Sequence, residues 1–236
     1  MTDRRMGSVC AVILALALTQ PANAAADLNG VWKVEGYHQQ LKTASGEPPP
    51  LKPEAAKRYR ENLTKWKIGD LSYDPTSKCI SPGMPRILYL PYPFEIVQSD
   101  RTIAYLFQWN YWNRVIELAP KPQDVPYPLA MGIARGKWIG DTLKIDTIGL
   151  RSDNTFLDAA GLPHSDDLHL IEEIRLLDGG QLLEDKITIE DKNVFTNVWS
   201  TTVRFRKLPA GTEIQEDICL DRVDAHQPAV SWPEKE

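Results

Sequence analysis

The sequence predicts a mainly β protein: an antiparallel, calycin- or lipocalin-like barrel with one helix and long proline-rich loops. Three observations lead there. Aromatic and β-branched runs of strand length succeed one another, separated by turns rich in Gly, Asp and Asn. A single segment carries a helical stripe of apolar residues. Eighteen prolines and seven tryptophans favour ordered loops around an aromatic interior over a helical bundle.

Taken in order, residues 1–24 read as a signal peptide. Arg4 and Arg5 precede a short apolar core, "AVILALAL" (11–18), and Ala22-Asn23-Ala24 supplies a cleavage signal. The core is well short of the ~20 residues a spanning helix needs. Cys10 lies ahead of it, which opposes a lipoprotein anchor. Residues 25–236 then form one domain, exported to the periplasm or beyond.

That domain opens on "DLNGVWKV" (27–34), a short strand. "EPPPLKP" (47–53) must be extended, and Pro53 suits the first turn of a helix. The helix is expected over 54–67, with Gly69 as its stop and Ala55, Tyr59, Leu63 and Trp66 along one stripe. Residues 103–112 follow as a strand with Tyr105, Phe107, Trp109 and Tyr111 on one face and Trp112 opposite. Residues 137–148 form a hairpin around Gly140-Asp141, a loop suited to a II′ turn. Strands are expected at 168–177, 182–191 and 194–207, turned at 178–180 and 191–193. In the last, Phe195, Trp199, Val203 and Phe205 share one face. A tail runs from about 221 to 236.

A net charge of −5, spread without a basic block, excludes nucleic acid and anionic membrane as partners. Neither is stable membrane insertion expected. A small-molecule ligand or substrate remains as partner; the sequence does not specify an oligomeric state. Removing the leader leaves Cys79 and Cys219, an even pair that forms a disulfide in an oxidising compartment. The alternative is two separate buried thiols.

Chemistry concentrates in "LDAAGLPHSDDLH" (157–169), which holds two of the four histidines. His164 would be the acid–base group and Asp158 or Asp166 its orienter, with His169 a second polar contact. Both histidines reach one pocket if the face bearing His169, Ile171, Glu173 and Arg175 lines the barrel. Arg86, Tyr92 and Tyr105 would bind or polarise a substrate oxygen, and Trp109 and Tyr111 would extend an aromatic lining. The plain alternative has Asp158 and Ser165 capping turns and the histidines bonding backbone at the rim. Ser165 lacks a G-x-S-x-G context for a triad. No cofactor is required; the alternative is a divalent metal on His164, Asp166 and His169. On an extended strand, however, that spacing puts the two imidazoles on opposite faces. Asp141 reads as a turn residue, and Asp146 as solvated or lining the lumen.

"GMPRILYLPYPFEIVQ" (83–98), "GKWIGDTLKIDTIG" (136–149) and "TFLDAAGLPHSDDLH" (155–169), with the opening "DLNGVW" and the late Cys219, resemble a family of exported bacterial proteins of about this length. The resemblance covers most of the mature chain and implies relationship and export rather than a reaction. Gln108, residues 120–122 and the segment 131–138 depart from polar groups usual in that family. Gly30 and Trp32 are also similar to the opening phrase of lipocalins. The function these features lead us to expect is an exported, cofactor-free lyase, isomerase or hydrolase. It would act on a small, partly apolar, even aromatic, molecule by histidine acid–base chemistry. The alternatives are a non-catalytic carrier of a hydrophobic ligand and an interaction module with a filled barrel.

Overall fold

Burial alternates residue by residue along the longer strands, as it must where one face of a pleated strand is packed and the other is wet. The structure, a computed structural model, describes residues 25–36, 38–118 and 124–233. The expected leader and residues 120–122 lie outside them.

Nine strands are described: β1 (Gly30–Val34), β2 (Phe94–Gln98), β3 (Thr102–Phe107), β4 (Asn113–Glu117), β5 (Ile133–Ile139), β6 (Thr142–Ile148), β7 (His169–Leu177), β8 (Leu182–Glu190) and β9 (Trp199–Lys207). They close in sequence order, with β1 paired to both β2 and β9. Every pairing is antiparallel except β4 with β5, which is parallel through Ile116↔Ala134 and Glu117↔Arg135. The expected all-antiparallel barrel is therefore corrected to a mixed one. A parallel neighbour cannot be reached by a tight hairpin, and 15 residues, 118–132, separate Glu117 from Ile133.

Two other expectations are corrected. The aromatic run 103–112 is not one strand: β3 ends at Phe107, and a 3₁₀ turn, Trp109–Tyr111, reverses the chain into β4. Asn110 and Tyr111 both take φ near +52° there, which breaks the alternation. Tyr105 and Phe107 are buried on β3 and Trp109 is buried in the turn, whereas Tyr111 is 49% exposed. The expected strand 194–207 begins only at Trp199; Phe195 lies in the preceding loop, edge-on to Trp199 at 5.3 Å.

The helix, α1 (Pro53–Lys67), starts on Pro53 in its first turn. Its covered stripe includes polar anchors: Tyr59 donates to Asp158 at 2.8 Å, and Asn62 donates to the Gly161 carbonyl at 2.9 Å. A second, short helix, α2 (Cys219–Asp224), lies in the expected tail. Cys219 forms the expected disulfide with Cys79, Cα to Cα 5.6 Å. Among the described residues no helix is long and apolar enough to cross a membrane.

The core lies inside the barrel. Phe94 stacks on Tyr105 at 5.4 Å and meets Phe205 edge-on at 5.1 Å. Residues 81–90, which include the 3₁₀ turn Arg86–Tyr89, are buried throughout.

Candidate functional site

Asp158 is fully buried and accepts three hydrogen bonds, from the Leu41 amide (3.0 Å), the Leu162 amide (2.9 Å) and the Tyr59 hydroxyl (2.8 Å). It ties the 157–162 loop to α1 and to residue 41. Burial raises its carboxyl above the usual range, against the pull of these donors. None of its partners is a histidine.

His164 is 6% exposed. Its Nδ1 donates to the Ser165 carbonyl at 3.0 Å, and its Nε2 lies 2.9 Å from the Thr155 hydroxyl, which itself donates to the Arg151 carbonyl. Burial depresses this imidazole below its ordinary value, so the neutral form is the resident one. Asp166 faces outward and accepts from the Ser152 amide at 2.7 Å, which lowers its carboxyl. It makes no hydrogen bond to the ring. Ser165 is held by Asp191, through its amide at 2.6 Å and its hydroxyl at 2.9 Å.

His169 begins β7 on the other face. In β7 the buried residues are Leu170, Glu172 and Ile174, so His169, Ile171, Glu173 and Arg175 point away from the barrel interior. The His169 ring lies between Asp146 (Nε2 to Oδ2, 2.9 Å) and Glu190 (Nδ1 to Oε2, 3.3 Å). It borders an outer cleft of about 660 Å³ with Phe195, Asp167 and Lys52. The two histidines therefore do not share a pocket. His164, Asp166 and His169 each bond different partners. Among the described residues no group of three or more His, Cys, Asp or Glu is placed to hold a metal ion.

The residues expected to contact substrate are dispersed. Arg86 is buried and grips Asp74 through both terminal nitrogens, at 2.7 and 2.6 Å. Tyr92 accepts from the Ser231 amide at 2.9 Å and lies beneath Arg222, 5.3 Å from its ring centre. Trp109 donates to the Ala229 carbonyl at 2.9 Å. These three sit around the C-terminal segment, and Tyr111 is on the surface.

Only Tyr105 belongs to a different and more unusual group inside the barrel. Arg114 of β4 reaches Glu172 of β7 through both terminal nitrogens (2.8 and 2.5 Å) and Thr147 of β6 at 2.8 Å. Burial pushes the carboxyl of Asp185, on β8, well above its ordinary value, and the neighbouring Glu172 pushes it further. The phenols of Tyr89 and Tyr105 are raised chiefly by burial, and the Arg114 guanidinium lies 5.9 Å from the Tyr105 ring centre. Arg114, Glu172, Asp185, Tyr89 and Tyr105 are each no more than 2% exposed. Four of their polar atoms have no partner: Tyr89 Oη, Tyr105 Oη, Arg114 Nε and Asp185 Oδ1.

The sequence did carry a signal for this group. "HLIEEIRLL" and "LLEDKITIE" place Glu172 and Asp185 in phase with Leu170, Ile174, Leu183 and Ile187. A carboxylate in the apolar phase of a strand is either functional or paired.

Neither a protein-family model nor a curated protein matches the chain.

Proposed function

We propose that the protein is an exported, cofactor-free enzyme that moves a proton on a small, partly apolar molecule, and that the barrel interior is its site. The observation that carries this reading is the set of four unpartnered buried polar atoms around the Arg114–Glu172 pair. Each such atom costs on the order of 1–3 kcal/mol when left unpaired. Apolar side chains of similar volume would hold the barrel at least as well.

In this reading Asp185 gives its proton to the substrate while Glu172 takes one from it, and a return transfer from Glu172 to Asp185 restores the pair. A carboxyl group whose burial raises its proton affinity, near a second one paired with a cation, suits acid–base division of labour. Tyr89 and Tyr105 donate to a substrate oxygen, and Arg114 balances the negative charge that develops there. Phe94 and Phe205 give the apolar part of the molecule its surroundings. Entry is by displacement of the 3₁₀ turn Arg86–Tyr89, which carries Tyr89. Export is supported by the disulfide and by the resemblance to an exported family.

The test is native mass spectrometry of mature protein taken from a periplasm, followed by turnover assays on whatever small molecule co-purifies. The expected result is a bound organic molecule, lost or unturned in Asp185→Asn and Glu172→Gln but kept in His164→Gln and His169→Ala. Turnover abolished by either histidine substitution, in a protein that still folds, returns the chemistry to the 157–169 stretch. A bound molecule with no turnover makes the protein a carrier.

A further inference from the structure

A second cavity lies outside the barrel, beneath the C-terminal segment. Trp66 at the end of α1, Leu71, Val223 of α2 and Trp232 form its walls, and the Asp74–Arg86 ion pair forms its floor. Its volume is about 230 Å³. We propose that this crevice is a binding site for a small neutral aromatic molecule of one or two rings, and that the Cys79–Cys219 bond holds its two walls together.

Size, lining and charge each narrow the occupant. A cavity of ~150 Å³ with an apolar lining takes one benzene ring, so this one accommodates a fused pair. Trp66 and Trp232 supply aromatic surface to the lining. Asp74 and Arg86 cancel each other at the floor: the Arg86 terminal nitrogens lie 2.7 and 2.6 Å from the two Asp74 oxygens. A charged ligand would meet no uncompensated counter-charge there and would lose its hydration on entry. A neutral ring loses little.

The disulfide joins the two sides. Asp74 leads through the 3₁₀ turn Pro75–Lys78 directly into Cys79, and Cys219 opens α2, which carries Val223. The wall on the 71–78 side and the wall on the C-terminal side are therefore stapled within one turn of the lining. Trp109, which donates to the Ala229 carbonyl, fixes the same segment from beneath. This site shares no residue with the interior acid–base group and does not rest on that assignment.

Indole is a suitable probe, titrated calorimetrically into the oxidised mature protein. The expected result is saturable binding at one site with a Kd below about 1 mM, a reasonable affinity for a ligand of this size. Val223→Trp, which fills the crevice, and Trp232→Ala, which removes a wall, each weaken binding at least tenfold. Asp185→Asn leaves it unchanged. The Cys79→Ser, Cys219→Ser double variant, or the wild type in dithiothreitol, shows a comparable loss while keeping its far-ultraviolet circular dichroism. Absence of saturable binding, or binding undiminished in both Val223→Trp and Trp232→Ala, overturns the site. Binding unchanged by reduction overturns the role given to the disulfide.

Discussion

Asp158 is the residue whose loss the fold should feel most sharply. Its carboxylate satisfies two backbone amides and a phenol that have no water to turn to. Asp158→Ala is expected to cost about 3 kcal/mol or more, read from urea denaturation, whatever its effect on activity. His164 and Asp185 give opposite pH signatures. The buried imidazole is held below its ordinary value of 6.5, so between 6.5 and that lowered value the unfolded chain binds a proton the folded one refuses. Stability falls as pH drops through that window, by up to ~1.4 kcal/mol per pH unit, and His164→Gln should flatten the slope. Asp185 is raised above 3.8, so the unfolded chain loses its proton first as pH climbs past about 4. Its contribution is complete below the unfolded value and is lost as pH rises from there toward the raised one. Asp185→Asn should therefore raise the midpoint of thermal unfolding relative to wild type more at pH 7 than at pH 4.

Elements were legible in the sequence where a local rule governs them. The β5–β6 hairpin follows from Gly140-Asp141: Gly140 takes φ of +62° in a two-residue loop. Gly140→Ala is expected to cost about 1 kcal/mol in the same denaturation experiment. Proline at the start of α1 is equally local. The parallel β4–β5 junction was not legible, because alternation looks the same whichever way the neighbour runs. The phase of β7 is left open by the sequence for a related reason. Both faces of "HLIEEIRLL" carry isoleucine and glutamate, and a choice wrong by one residue puts His169 inside and Glu172 outside. Leu170 and Ile174, facing Ile189 and Asp185 on β8, fix the true phase, and that is information about pairing.

At the scale of the whole molecule, the disulfide is the longest covalent shortcut, joining positions 140 apart in sequence. The chain-entropy argument sets about 5 kcal/mol as the upper bound of what it adds, and reduction should lower the denaturation midpoint accordingly. The sequence favoured this pair over two separate thiols because only Cys79 and Cys219 lie outside the expected leader. The interior polar group was harder to see, because five side chains from four strands and a loop meet only after closure.

That closure has a kinetic consequence. The wall is completed where β1 meets β9, Trp32 opposite Lys207 and Val34 opposite Phe205, so the strand formed first along the chain waits for the strand formed last. Such an encounter is entropically remote and slows folding. Until it occurs, β1 and β9 each present a row of unpaired backbone groups to any passing chain. A protein that emerges from a secretion pore in the order of its sequence would carry that exposed β1 edge through the whole of its passage. On the proposed export route, anything that covers this edge until β9 arrives would raise the yield of native protein.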